Sequence, residues 1–378
     1  MSLHKHIIQG DTPSAQFELP VYEFGKQGGR KIYLQAGMHA DEHPGMLVLH
    51  HLITALAKAE AAGLLRDHFV ILPVVNPLGL AHLSFHGHQG RYHPVLGVNY
   101  NRGWPNFGAR LITDKAFIAS LGDDATANKG LVRAKIAEYL DEMVPVTALE
   151  KQRALVMRHC FDADMVLDLH CDDIALPHLF IIPQNLPRYQ GLCDRIGSVA
   201  TLTAEDSGGG SFDEVWSGLW VMLAGHLPDI AWPEPVLSVT LEYRGQADVS
   251  DEVAADDATN LFDFFCDEGA IDQAPSRAKI AGAAPTELAA TEIVRVDKAG
   301  LIAYHIALGD RVVSGQHIAD LVSLDGDAPV QERTPLMAGT DGIVFSLLQR
   351  KYVWPGTSIA KIAGTSRLES RGSYLLED

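Results

Sequence analysis

His39 and Glu42 stand three residues apart in Gln35-Ala36-Gly37-Met38-His39-Ala40-Asp41-Glu42, and His170 closes Leu167-Asp168-Leu169-His170 about 130 residues later. Two imidazoles and one carboxylate are the donor type of a catalytic zinc that keeps one position open to water. Spacing alone leaves two readings, a metal site or a coincidence of polar loop residues. Context favours the metal. Gly37 lets the backbone bend, Pro44 suits a helix start, and both side chains can then point to one spot. Asp168 or Asp172 would be the carboxylate that orients a ligating imidazole. A rival set, His86, His88 and His93, lies in the stretch Phe85–His93. No carboxylate accompanies it at ligand spacing, so pocket lining or a polar loop is the better reading.

Three further groups could take part in chemistry. Arg102 follows Asn101 in Val98-Asn99-Tyr100-Asn101-Arg102-Gly103-Trp104-Pro105. A guanidinium fork matches a carboxylate bidentately, and an adjacent asparagine adds a directional contact. Pairing of Arg102 with a surface acid is an equal alternative. Arg91 could stabilise negative charge on a carbonyl oxygen. Glu242 ends the apolar run Ser238-Val239-Thr240-Leu241. A carboxylate there is costly if buried unpaired, so it meets a partner, serves a function or lies exposed at the strand end. Beside a water activated by the metal it would take the proton and pass it to a leaving amine. Cys171, next to His170, either faces the site or is an ordinary buried thiol, and the second is favoured.

These residues need a frame. Apolar runs of strand length cover 17–24, 31–36, 69–75, 165–169, 179–182 and 236–241, and helical patterns cover 44–65, 126–143, 147–161, 187–202 and 249–267. Such alternation predicts an α/β fold with a mixed, mostly parallel sheet flanked by helices, whose carboxyl edge builds the site. Trp216 and Trp220, at helical spacing within Ser211–Trp220, suggest a core helix rather than an apolar cap on the pocket. The stretch 273–285, rich in Ala with Pro275, Gly282 and Pro285, reads as a linker. It separates a catalytic domain, 1–272, from a small all-β domain, 286–378. Leu308–Gln316 and Val353–Ala360 form a weak internal duplication within the latter.

With 378 residues, two domains are the prior, and 47% hydrophobic against 21% charged residues suits a globular enzyme. A net charge of −18 argues against a nucleic-acid or anionic-membrane partner. Nine acidic residues and no basic one lie between Arg244 and Arg277, so much of that charge belongs to a solvated face. No apolar run approaches the length of a membrane span, and Met1–His6 lacks the apolar core of a signal peptide. Cys160, Cys171, Cys193 and Cys266 show no CxxC spacing, which fits reduced thiols and a cytoplasmic location.

Together the motifs resemble the succinylglutamate desuccinylase/aspartoacylase family, itself similar to zinc carboxypeptidases. The matches are His39-Ala40-Asp41-Glu42, Asn76-Pro77 followed by Arg91, Asn101-Arg102, Asp168-Leu169-His170 and Thr240-Leu241-Glu242, in the family's order over about 210 residues. The resemblance implies a zinc-dependent hydrolase with one Zn2+ per chain on His39, Glu42 and His170. It further implies Arg91 polarising the scissile carbonyl, Asn101 and Arg102 holding a substrate carboxylate, and Glu242 as general base. The expected partner is a small-molecule N-acyl substrate, with a homo-oligomer left open. A metallocarboxypeptidase acting on peptide or peptidoglycan fragments would share the machinery, and a non-catalytic scaffold would be expected to lack part of it. The C-terminal module resembles biotinyl/lipoyl domains. Its turn Val322-Ser323-Leu324-Asp325-Gly326-Asp327-Ala328 lacks the lysine those domains modify, so no covalent biotin or lipoate is expected. Tyr100 replaces a leucine common in the family, which argues against assuming N-acetylaspartate or N-succinylglutamate.

Overall fold

The computed structural model describes residues 1–324, 333–372 and 374–375, and gathers the strand-like runs into a nine-stranded sheet. Its strands are β1 (Ser2–Gln9), β2 (Gln16–Phe24), β3 (Lys31–Ala36), β4 (His68–Leu72), β5 (Met165–Asp172), β6 (His178–Ile181), β7 (Ala200–Thr203), β8 (Leu237–Gly245) and β9 (Pro285–Glu287). They lie in the order β1-β2-β4-β3-β5-β8-β6-β7-β9. The central four, β4-β3-β5-β8, run parallel, whereas β2 and β6 oppose their neighbours β4 and β8. The sheet is thus mixed and mostly parallel, flanked by helices.

Strand alternation divides the core into two. Ile32, Leu34, Leu167, Leu169, Val239 and Leu241 face one layer, while Tyr33, Val70 and Val166 face the other. Helices α1 (Pro44–Ala61), α2 (Ala125–Asp141), α3 (Ala148–Cys160), α4 (Leu186–Ile196), α5 (Phe212–His226) and α6 (Asp251–Asp267) cover these layers. Apolar residues of α1, α4 and α6 fill the first layer, and those of α2, α3 and α5 the second. Trp216 and Trp220 are core residues of α5 at 2% and 3% exposure, and neither lines the cavity described below. Among the described residues no helix is long and apolar enough to cross a membrane.

One local expectation changes. The helix over 187–202 stops at Ile196, because Gly197 takes a left-handed conformation (φ 64°) that closes α4, and Ala200–Thr203 then forms β7. The chain start is also structured, since β1 pairs antiparallel with β2 from Ser2 to Gln9.

Beyond β9 the chain builds two small sheets from β10 (Thr291–Arg295), β11 (Gly300–Tyr304), β12 (Arg311–Val312), β13 (His317–Val322), β14 (Arg333–Met337), β15 (Gly342–Leu347), β16 (Tyr352–Val353) and β17 (Ser358–Gly364). One sheet runs β10-β17-β15-β12, the other β14-β13-β11-β16. Each half of the internal duplication places its short strand in one sheet and its following long strand in the other. The two halves therefore interlock. Among the described residues, strand pairing joins this module to the large one at two places. β9 adds to the edge of the nine-stranded sheet beside β7, and the short strand Ile174–Ala175 pairs with β15. Residues 325–328 of the turn noted above lie outside the described residues.

Candidate active site

The site is assembled at the carboxyl ends of β3, β5 and β8. On β5 and β8 the odd-numbered positions feed one apolar layer, so Asp168, His170, Thr240 and Glu242 leave the opposite face. The parallel register pairs Thr240 with Asp168 and Glu242 with His170. After β3 the chain turns at Gly37 (φ 72°), where a Cβ would lie 2.3 Å from Met46 Cε. Asn76 clamps that turn: its Nδ2 donates to Met38 O (2.9 Å), while its Oδ1 accepts from Gly79 N (2.9 Å). Gly90 is bound to the same loop. Ala40 N donates to Gly90 O, and a Cβ on Gly90 would sit 2.2 Å from Asp41 N. That close approach delivers Arg91 to the site.

His39, Glu42 and His170 meet although 128 residues separate the last two. Glu42 Oε1 lies 2.9 Å from His39 Nδ1, and its Oε2 lies 2.7 Å from His170 Nδ1. The remaining ring nitrogens are held from behind, His39 Nε2 by Asn99 Oδ1 at 2.8 Å and His170 Nε2 near Asp168 Oδ2 at 3.1 Å. All three residues are buried. Two Nδ1 atoms and a carboxylate facing one point, with their far sides supported, form a donor set suited to a divalent cation. Asp172 does not share the supporting role, because its Oδ2 pairs with Lys361 Nζ at 2.7 Å.

Charges follow from burial and neighbours. Burial, then Arg91, pushes His39 down to about 4 and keeps it neutral, the form that ligates metals. Burial opposes the charge on Glu42, yet the two imidazoles outweigh it and hold the carboxyl well below its usual range. Glu242 goes the other way. Burial first and Glu42 second push it up to about 8, and its buried Oε2 has no hydrogen-bond partner among the described residues. A buried carboxylate oxygen without a donor is costly in a purely structural role.

Arg91 Nη1 reaches Glu42 Oε1 at 3.1 Å and His39 Nδ1 at 3.2 Å. Asn101 is buried; its Oδ1 accepts from Phe212 N (2.9 Å), and its Nδ2 lies 3.5 Å from His170 Nε2. Arg102 Nη1 donates to Asn101 O (2.9 Å). All seven residues named from the sequence line one cavity, together with the buried Cys171, whose thiol burial pushes up. The histidine-rich loop stays apart. His86 is exposed, His88 Nε2 donates to Gly79 O (3.0 Å) while its Nδ1 lies 3.1 Å from His43 Nε2, and His93 packs on Tyr100.

Sequence reasoning missed three contributors. Asn99 was in plain view in the Asn-Arg stretch, but only its contact with His39 shows a role. Phe345 and Lys361 of the β module also line the cavity, and no local pattern announces them.

Residues 28–201 match the model for the succinylglutamate desuccinylase/aspartoacylase catalytic domain. That stretch is similar to the catalytic domain of a family of hydrolytic deacylases. Solved structures agree in fold across the whole chain. A putative succinylglutamate desuccinylase/aspartoacylase family protein from Shewanella amazonensis superposes with a TM-score of 0.80 at 24% identity, covering 96% of this chain and 98% of its own. A succinylglutamate desuccinylase/aspartoacylase from Rhodobacter sphaeroides gives 0.64 at 17%, with 95% of each chain covered. The product-bound ectoine utilization protein EutE (DoeB) from Ruegeria pomeroyi gives 0.65 at 16%, covering 96% of this chain and 95% of its own. A comparison with curated proteins finds no match. The large module, which contains the stretch similar to that domain, supplies the frame, and the β module completes the cavity.

Proposed function

We propose that this protein is a zinc-dependent hydrolase that cleaves the N-acyl amide bond of a small, carboxylate-bearing substrate. The observation that carries the reading is the convergence of His39 Nδ1, His170 Nδ1 and the Glu42 carboxylate at a cavity wall, with Glu242 as the register partner of His170. His39, Glu42 and His170 would hold one Zn2+, and a divalent ion supplies Lewis acidity that polarises an amide carbonyl and makes water a stronger acid. Glu242 takes the proton from the attacking water and returns it to the departing amine. The burial that raises its proton affinity makes it a better base. Arg91 presents Nη1 to the developing oxyanion, and Asn101 with Arg102 orients the substrate through its carboxylate. Asn99 and Asp168 keep the imidazoles aimed.

The reading divides the chain into a catalytic domain (1–272), a linker (273–285) and a β domain (286–378) that walls the cavity, similar to a biotinyl/lipoyl domain and carrying no covalent cofactor. Four buried free thiols fit a cytoplasmic protein. The test is a panel of N-acyl amino acids and short peptides assayed with zinc and after chelation. Zinc-dependent release of amino acid from the acyl series supports the proposal. Turnover of peptides alone would make it a carboxypeptidase.

A further inference from the structure

The β module carries a second set of metal-type donors. His305, His317 and Asp320 each offer a ligand atom, and these atoms lie within 4.8 Å of one another. None of the three lines the cavity described above. His305 follows β11, whereas His317 and Asp320 both lie on β13. In a regular strand, residues three apart leave opposite faces. Here the pairing with β14 slips between His317 and Ala319, a bulge that leaves Ile318 without a partner on β14 and brings His317 to the face of Asp320. His305 N donates to Ile318 O (2.8 Å), which fixes the third donor against the same bulge. His305 Nε2 donates to Asp320 Oδ2 (3.0 Å) and His317 Nε2 to Asp320 Oδ1 (2.8 Å), with the two rings edge to face at 4.5 Å. Asp320 is buried, while the imidazoles are 41% and 43% exposed, so the group opens to solvent.

We propose that His305, His317 and Asp320 form a second metal site, which takes up a divalent transition ion such as Zn2+ from solution. Two imidazole nitrogens and one carboxylate favour such an ion over Mg2+ and Ca2+, whose preferred donors are oxygens. The ion takes the place of the two Nε2 protons, and each neutral ring then carries its proton on Nδ1. The imidazoles are not needed to neutralise Asp320, because Arg333 Nη1 already lies 3.1 Å from its Oδ2. Arg333 is half exposed and competes with the ion for that carboxylate. Openness to solvent makes the ion exchangeable, so the site fills from added metal and empties during purification. When filled, it ties β11 to β13 across the bulge.

The experiment is equilibrium dialysis of the full chain against buffered free Zn2+, followed by elemental analysis. The parent is expected to hold one zinc more per chain than the His305→Ala/His317→Ala double variant, whatever the cavity holds in both. Asp320→Asn, which keeps the volume and removes the charge, is expected to bind that extra zinc about tenfold more weakly or worse, since even a group that only supports a ligand contributes about 10–100-fold to metal affinity. Arg333→Gln removes the competing cation and is expected to tighten binding by up to about fivefold. Circular dichroism checks that each variant folds, and the exposed histidine pair decides the matter alone if Asp320→Asn does not. Equal zinc content in the parent and the double variant at every free-zinc level overturns the proposal. Displacement of the extra zinc by a roughly hundredfold excess of Mg2+ also overturns it, because the binding would then be that of a carboxylate alone.

Discussion

Glu242 and His170 are register partners on adjacent parallel strands, and their side chains leave the sheet on the same face. Two side chains so placed cannot drift apart without breaking the centre of the sheet. Their separation is set by backbone hydrogen bonding rather than by loops. Glu242→Gln keeps the volume and removes the proposed base, so metal content is expected to stay unchanged while kcat falls by about 10²–10⁴-fold. Metal analysis and steady-state kinetics on the same preparation check this. Full activity in Glu242→Gln would assign the base elsewhere.

Arg102→Ala tests carboxylate recognition. A hydrogen bond to a charged group contributes roughly 1.5–3 kcal/mol, so KM for an N-acyl amino acid is expected to rise about tenfold or more, with a smaller change in kcat. The corresponding amino-acid amide, which lacks the charge, should show little change. Equal effects on both substrates would remove the role.

The Lys361–Asp172 pair couples the β module to the wall of the site. With the two side chains 24% and 16% exposed, it is only partly shielded. Lys361→Met leaves Asp172 without its cation, and a loss of roughly 2 kcal/mol is expected, below the 3–5 of a fully buried pair. Urea unfolding measures it, and an unchanged midpoint would show the pair to be inert.

Acid sensitivity follows from His178. The ring packs on Phe345 and Phe180 with centroids 4.8 and 5.6 Å away, and burial pushes its pKa down to about 4. Between pH 4 and 6.5 the unfolded chain therefore binds a proton that the folded chain refuses. Stability is at its full value above about 6.5 and is lost as pH falls toward 4, by up to about 3 kcal/mol from this group. Thermal melts from pH 4.5 to 7.5 should show a weaker acid slope in His178→Asn than in the parent. Parallel slopes would place the sensitivity elsewhere, with His159, also pushed down to about 4 by burial, the next group to change.

The sequence showed the site more clearly than its enclosure. The short apolar runs ahead of His39 and His170, 31–36 and 165–169, read as buried strands because a fully buried strand is apolar at nearly every position and changes character only at its end. The break at Gly197 was harder to see. Val199, Ala200 and Leu202 continue an apolar pattern that a helix or a strand satisfies equally well, and only pairing with β6 and β9 decides for a strand. Phe345 and Lys361 lie more than 100 residues beyond Glu242 in the chain. They reach the cavity through the docking of β15 and β17, which leaves no local signature. Asp172 shows the same limit: by sequence it is as good a candidate support for His170 as Asp168, and only its contact with Lys361 rules it out.

Metal content is the most direct measurement. Elemental mass spectrometry of the purified protein should find one zinc per chain, and His170→Ala should retain none while remaining folded by circular dichroism. Chelation should abolish hydrolysis of N-acyl amino acids, and added Zn2+ should restore it. A metal-free protein that still cleaves these amides, or a His170→Ala variant that keeps its zinc, would contradict the account.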